Sequence, residues 1–454
     1  MAESAAAGGA RAWFEDQLDP ALIDDHEADE IARWWEHLAL SPQEKSELAE
    51  SDPPQVKGFI QEVDCTRWQL IHAMNTRRQL LSIMTDFWAN HFYINAPLPK
   101  VCAHRFRYDQ ALREHALGSF DRLLASAVLH PMMLVYLDND VSHKDALNEN
   151  LGRELLELHT VGRDLEIPFS EDDVLNSARI ISGYGIHPAT REAEFHPDLH
   201  WVGRVQVMEF SHPNSRSDGR EVALAYVQAL AEHPATAKRI IRKLAIRFVS
   251  DDPSDELLAD LFSAFEPSRN ITDLLLALVD HDEFRAAAGR KVRTPIEDLV
   301  ASYRAMQAQI PPPDDGDAAV TVIQVCQDTG QRPYDWPRPD GFPDRGEVWS
   351  SPSRMLATWD MHRALSIGGS DLGTGIEMPD DAYWHGPLPA TFDTIVDRMC
   401  RLLLARPADP ELMRIATESA DPRAGEIEAG HPEVGGRLPA LIGALLDTPH
   451  HMTR

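Results

Sequence analysis

Apolar residues recur along most of the chain at the three-and-four spacing of an amphipathic helix. In RRQLLSIMTDFWANHF (77–92), Leu80, Leu81, Met84, Phe87 and Trp88 fall on one broad stripe, which predicts a core helix. HRFRYDQALREHALGSF and FDRLLASAVLHPMMLVYL keep the same period, with Gly118 and Pro131 as breaks between helices. ENLGRELLELHTVG places Leu151, Leu155 and Leu158 on a core face and ends at Gly162, which suits the position just past a helix end. Ser170 opens SEDDVLNSARIISGYG with Asp173 three residues later, a capping-box-like start with an acidic first turn. Helical spacing resumes through 221–249, 254–265, 271–287 and 294–307.

The period fails in two places. Between about 186 and 220 the chain is rich in His, Pro, Arg and aromatic residues, and the alternation in WVGRVQVMEF predicts a small hairpin. Irregular segments of this length in compact proteins are often functional. The second failure begins at PPPDDGD (311–317) and continues through QRPYDWPRPDGFPDRGEVW (331–349), whose Pro and Gly content argues for a lid or a rigid connector rather than regular structure. Two segment pairs, SDELLADLFSAFE with ITDLLLALVDHDEF and DPELMRIATESA with LPALIGALLDTPHHM, read as a weak repeat of one helical hairpin. The resulting fold class is all-α: a large multi-helix, bundle-like domain with long irregular loops and at most a small β-hairpin. It divides into an N-terminal helical arm (1–60), a helical core (61–310), and a Pro-rich connector with a C-terminal helical cap (311–454).

Charge narrows the partners. With 43 Lys and Arg against 73 Asp and Glu, the formal charge is −30, so the surface repels phosphate backbones and anionic headgroups. Nucleic acid and membrane surfaces are therefore not expected as partners. The four cysteines, Cys65, Cys102, Cys326 and Cys400, match neither a disulfide framework nor a CxxC knuckle and read as buried free thiols. MAESAAAGGARAWFEDQ lacks a basic region followed by an apolar run, and no segment offers about 18 uncharged apolar residues, which together point to a cytoplasmic protein.

Several motifs then point to a family. NHF (90–92), HALGSF (115–120), LDND (137–140), NENLGRELLELHTVG (148–162), SEDDV…AR (170–179), PATAKRIIRKLAIRFVSDDP (234–253) and PYDWPRPDGFP…W (333–349) together resemble the bacterial domain of unknown function 1800 family, from about Trp13 onward. The resemblance implies a helical architecture. It also implies a sulfatase-like neighbour as a candidate protein partner, and relatives that are often exported. Many relatives carry a histidine where this chain has Ala89, and His159 stands where an aromatic residue is usual.

The strongest constellation for chemistry is NENLGRELLELH. Asn150, Glu154 and Glu157 stand at i, i+4 and i+7 and project from one side of a helix. Carboxylates on a bundle's inner face, joined by histidines from neighbouring helices, are how helical proteins build di-metal sites, and His91 and His115 lie on the neighbouring helices. The Glu-x-x-His signature of such sites is absent, and Arg153, four residues from both Glu149 and Glu157, fits equally well a structural charge network. His91, between Trp88 and Phe92, reads either as a core histidine bonded to a carbonyl or as a ligand, and His115 as a helix-end cap or a ligand. His196 and His200 in FHPDLHW have zinc spacing only if helical, which Pro197 opposes, and His200 alone matches a family position. The histidines of HPEVGG and PHH read as solvated surface. No GxSxG, GxxxxGK[ST], HExxH or strand-borne GxGxxG occurs.

These features give two expectations. The first is an enzyme acting on a small molecule or a peptide through a Glu/His/Arg centre of His91, His115, Asn150, Arg153, Glu154 and Glu157. A divalent or transition metal on His91, His115, Glu154, Glu157 and His200 would be its cofactor, and an oxidoreductase or hydrolase its class. The second is a non-catalytic scaffold in which the same carboxylates are interior ion pairs.

Overall fold

A computed structural model of the chain describes residues 9–95, 98, 100–163, 168–313, 318–368, 375–420, 426–428 and 436–454. The fold is mostly helical, as the apolar period requires. The stripe at 77–92 becomes the Gln79–His91 helix, with Leu80, Leu81, Met84, Phe87 and Trp88 all buried. Gly118 and Pro131 separate Arg105–His115, Phe120–Val128 and Pro131–Tyr136. Ser170 and Asp173 form a reciprocal capping box at the head of Glu171–Ile181. Pro234 splits the helical stretch at 221–249 into Arg220–Glu232 and Pro234–Phe248, because it occupies the first helical position, where its missing N–H costs nothing.

Strand structure exceeds the single hairpin expected. Val205–Val207 pairs antiparallel with Phe210–His212, within the segment whose alternation predicts it. A second hairpin, Tyr184–Ile186 with Ala193–Phe195, lies in the irregular stretch, and Ala390–Thr391 pairs with Glu426–Ile427 in a two-residue ladder. The 333–349 block has one short 3-10 turn, Gly346–Trp349. Part of PPPDDGD (314–317) lies outside the described residues.

Buried apolar side chains gather in two cores. One is built mainly from 80–287 and includes Trp88, Phe92, Phe120, Leu155, Tyr226, Leu244 and Phe265. The other joins Trp35, Trp68 and Ile71 to Leu299, Tyr303, Met399 and Leu446. The second core therefore crosses positions 61 and 310: the Gly58–Asn75 and Pro295–Met306 helices pack together within it. The suspected repeat corresponds to two helix pairs, Asp255–Phe265 with Ile271–Asp280 and Pro410–Ala420 with Leu438–Leu446, each followed by a short helix.

The NHFYIN segment holds the Pro-rich block in place. Phe342 N–H donates to Asn90 Oδ1 at 2.7 Å, and Asn90 Nδ2 donates to Phe342 O at 2.9 Å. Trp336 N–H donates to the Tyr93 hydroxyl, and Asn95 Nδ2 donates to Trp336 O at 2.9 Å. Tyr334 is buried, its hydroxyl 2.6 Å from Asp109 Oδ2 and its ring 4.1 Å from the Arg105 guanidinium. These bonds tie the block to the 90–95 segment at Phe342 and Trp336.

No helix among the described residues is long and apolar enough to cross a membrane. All four cysteines are buried, and none forms a disulfide.

Candidate functional site

The seam at 148–159 departs from a plain α-helix. Asn150–Glu154 is α-helical, and Leu155–His159 widens into a π turn. That extra residue per turn rotates the following positions, so Leu156 is buried and Leu158 only half-buried, against the expectation that Leu158 faces the core. Gly152 is required at its position: a Cβ there would lie 2.8 Å from Ala178 N and 3.1 Å from Val174 O, where the Glu171–Ile181 helix crosses.

Asn150 is exposed, and its backbone N–H is capped by Asn148 Oδ1 at 2.9 Å. Arg153 donates to both oxygens of Glu171, at 3.0 and 2.6 Å, and to Glu149 at 3.3 Å, and stands 3.8 Å from Glu157. Glu157 is buried and paired with Arg163. Glu154 has no hydrogen bond or ion pair among the described residues, and burial followed by the charge of Glu157 lifts its carboxyl pKa. Most of this seam is thus a surface-facing ion-pair network with one carboxyl left over.

His91 and His159 exchange bonds. His91 Nε2 donates to the His159 carbonyl at 3.1 Å, and His159 Nδ1 donates to the His91 carbonyl at 3.3 Å, tying the end of Gln79–His91 to the end of the π turn. The remaining His91 nitrogen, Nδ1, accepts from Lys243 Nζ at 3.0 Å. His200 is likewise spent: Nδ1 meets the Ser182 carbonyl at 2.8 Å and Nε2 meets Asn214 Oδ1 at 3.0 Å. Neither ring offers a nitrogen to a metal in this arrangement. His115 closes its helix half-buried, and no hydrogen bond, ion pair or ring contact joins it to His91, Glu154 or Glu157 among the described residues. The structure thus brings Arg153, Glu154 and Glu157 together and shows no contact linking His115 or His200 to them.

Lys243 belongs to a basic line along the Pro234–Phe248 helix. Arg239, Lys243 and Arg247 recur every four residues while Ile240, Ile241, Leu244 and Ala245 face the core. Burial, then the charge of Arg239, pulls the Lys243 amine down to about 7, against the opposing pull of Asp340 and Asp344. Arg239 reaches Leu158 O at 3.3 Å, an approach that needs Gly162: at φ +82°, a Cβ would lie 2.6 Å from Arg239 Nη1.

The line runs to a cleft between the two cores. The cleft encloses about 320 Å³, with Trp68 and Leu70 on the side of one core and Ala89 and Tyr334 on the other. Five arginines line it: Arg113, Arg247, Arg293, Arg304 and Arg454. Arg304 is occupied, its Nη1 donating to the carbonyls of Ala73, Met74 and Thr76 at 3.0 to 3.1 Å, which caps the Gly58–Asn75 helix. Arg247 Nη2 stands 3.0 Å from Glu297 Oε1 and 3.2 Å from Asp86 Oδ2, and Arg454 Nε stands 3.2 Å from Glu297 Oε2. Arg113 and Arg293 differ from these three. Neither guanidinium makes a hydrogen bond or ion pair among the described residues, and Arg113 Nη2 is a buried donor with no acceptor. Burial lowers the pKa of both.

Of the three carboxyl groups that line the cleft, Asp86, Asp109 and Glu297, the first and last are pushed in opposite directions. Burial raises the Asp86 pKa, helped by the charges of Glu297 and Asp344 and opposed by Arg247. Burial also pushes Glu297 up, but Arg247, Arg454 and the Thr294 N–H outweigh it and hold its pKa below the ordinary value. Groups sharing one site with divergent pKa values are suited to donating and accepting a proton.

None of the cleft's charged residues stands out in the sequence. Arg113, Arg293 and Arg304 sit on segments far apart in the chain, so no spacing announces them. The four-residue period of 239, 243 and 247 is visible, but at that period charges ordinarily mark a solvated face. The PHH stretch is a second departure: His451 is buried, not solvated surface, because the Pro449–Met452 turn packs beneath the Pro295–Met306 helix, with Ser302 Oγ 2.9 Å from His451 Nε2.

A family model described as "Protein of unknown function (DUF1800)" matches residues 1–453. No curated protein and no solved structure matches the chain.

Proposed function

We propose that this chain, which belongs to the DUF1800 family of proteins of unknown function over essentially its whole length, is an enzyme that binds a small anionic molecule in the arginine-lined cleft. One observation carries the reading: the guanidinium groups of Arg113 and Arg293 line a cleft of about 320 Å³ and make no hydrogen bond or ion pair among the described residues. A desolvated guanidinium with no hydrogen-bonded acceptor is costly, and an anionic group of a ligand lowers that cost. The volume suits a small molecule, whose sites commonly start at about 300 Å³. The formal charge of −30 makes the contrast sharper, because the surface repels anions while this interior concentrates cations.

In this reading Arg113 and Arg293 hold the anionic group, and Trp68, Ile83 and Val300 cover an apolar part of the ligand. Asp86 serves as proton donor and Glu297 as acceptor. The proton step rests on the opposed pKa shifts of those two carboxyl groups. The carboxylates at 148–159 become a supporting network at the far end of the basic line.

Titration calorimetry with citrate and with inorganic phosphate, at ionic strength matched by chloride, tests the binding step. Saturable binding is expected for at least one. Arg293→Met should weaken it by roughly 10- to 100-fold, since a hydrogen bond to a charged group contributes about 1.5–3 kcal/mol. Heat that tracks ionic strength alone, or equal affinity in Arg293→Met, would refute the reading.

A further inference from the structure

On the face of the Pro295–Met306 helix turned away from the cleft, three side chains from distant parts of the chain converge. Asp298 comes from this helix, His362 from Pro352–Ser366, and His451 from Pro449–Met452. All three are buried, at 0, 0 and 3% exposure. Asp298 Oδ1 is 3.4 Å from His362 Nε2 and 3.5 Å from His451 Nε2, and the three ligand atoms all lie within 4.8 Å of one another.

Two of these atoms have no hydrogen-bond partner. Asp298 Oδ1 and His362 Nε2 are both buried and unsatisfied, although they face each other. The surrounding bonds explain why. His362 Nδ1 faces Asp447 Oδ1 at 2.8 Å and donates to it; in the neutral ring this turns the Nε2 lone pair toward Asp298, whereas the imidazolium that the two flanking carboxylates favour would aim a proton there. Ser302 Oγ lies 2.9 Å from His451 Nε2, and an ion on that nitrogen would take the place of the Ser302 bond. Arg354 Nη2 donates to Asp298 Oδ2 at 2.9 Å, leaving Oδ1 as the oxygen turned inward. With a neutral His362 ring, Nε2 and Asp298 Oδ1 face each other as two unsatisfied acceptors, and His451 Nε2 lies beside them.

A proton shared by Asp298 and His362 is the simplest filler. It would draw the pair to about 2.7–2.9 Å, the usual length of a charged N–H···O bond. The observed 3.4 and 3.5 Å fall within the edges of about 3.3–3.6 Å of a tetrahedron whose metal–ligand bonds are about 2.0–2.2 Å, and the third pair, His362 with His451, lies within 4.8 Å. The His362–Asp447 pair adds the outer carboxylate that commonly orients a metal-bound imidazole.

The geometry points to a buried site for one divalent transition-metal ion of the zinc class, held by Asp298, His362 and His451. Ser302 Oγ is a further polar atom on hand for a fourth position. The ion clamps the Pro449–Met452 turn to the Pro295–Met306 helix. This assignment does not depend on the cleft binding a ligand.

The test uses the full chain, stripped with a chelator and titrated with Zn²⁺ and with Co²⁺. One ion per chain should bind, Co²⁺ should give the intense visible absorption of a tetrahedral site, and zinc should raise the melting temperature of the stripped protein. Asp447→Asn should keep the ligands and weaken zinc affinity roughly 10- to 100-fold, as loss of an outer-shell carboxylate does. His362→Gln should abolish binding, while His200→Asn and His91→Asn should retain it. No stoichiometric ion on the stripped wild type overturns the proposal, and so does full binding by His362→Gln. If His362→Gln fails to fold, the wild-type cobalt spectrum decides: weak octahedral absorption overturns the site.

Discussion

Arg247→Met is the most informative perturbation of the charged wall behind the cleft. The Arg247 side chain is 10% exposed and reaches three carboxylates: Glu297 at 3.0 Å, Asp86 at 3.2 Å and Asp344 at 3.6 Å. Methionine keeps much of the stem's volume, so the change is chiefly electrostatic. Removing one partner of a buried pair costs about 3–5 kcal/mol, and solvent screening of the 40% exposed Asp86 side chain brings the expected loss to about 3 kcal/mol. At about 2.1 cal/mol/K of unfolding entropy per residue, 454 residues give about 1 kcal/mol per degree, so the melting temperature should fall by about 3 °C. The pH dependence separates charge from packing. In the wild type Glu297 has a depressed pKa, so its contribution is present above the ordinary carboxylate range and is lost as pH falls through the folded value. Without Arg247, Glu297 and Asp86 both titrate higher in the folded state, and each penalises folding once ionised. The deficit of Arg247→Met should therefore be small at pH 4 and widen toward pH 7, read by thermal melts across that range. A deficit of equal size at both ends would mean that packing, not charge, is what Arg247 supplies.

Three other substitutions have defined outcomes. Gly162→Ala forces a Cβ into the left-handed region and onto Arg239, and should lower stability by at least about 1–2 kcal/mol in urea melts, whereas an unchanged midpoint would show that Arg239 moves freely aside. Lys243 has its amine pulled down to about 7, so the unfolded chain binds more protons between about pH 7 and 10 and wild-type stability should rise relative to Lys243→Met over that window; parallel stability curves would refute the depressed value. Asn90→Ala removes two bonds to the Phe342 backbone, costs about 1–3 kcal/mol, and should make the 333–349 block cleave faster in limited proteolysis, with wild-type cleavage rates counting against the anchor.

Local chemistry made much of the fold legible. The stripe at 80–88, the Ser170–Asp173 box and the Val205–Phe210 alternation each depend on neighbours a few residues apart, and each appears where its pattern sits. The π turn at Leu155–His159 has no such signature, and it is what displaced Leu158 from the core face. The cleft was illegible for a different reason. Trp68, Arg113, Arg293 and Arg304 meet only because the Gly58–Asn75 helix packs on Pro295–Met306 within a core assembled from opposite ends of the chain. The same non-local packing brings His451 beneath Asp298. Candidate chemistry drawn from one helix therefore found the ion-pair network around Arg153 and missed sites that take one residue from each of several elements.

The proposed anion site in the cleft is built on Arg113 and Arg293. Anomalous diffraction from crystals soaked in selenate, a tetrahedral oxyanion, addresses it most directly. The expected result is a selenium peak inside the cleft with oxygens within hydrogen-bond distance of both guanidinium groups, absent from Arg113→Met crystals soaked alike. Selenate bound elsewhere on the protein with the cleft unoccupied would contradict it.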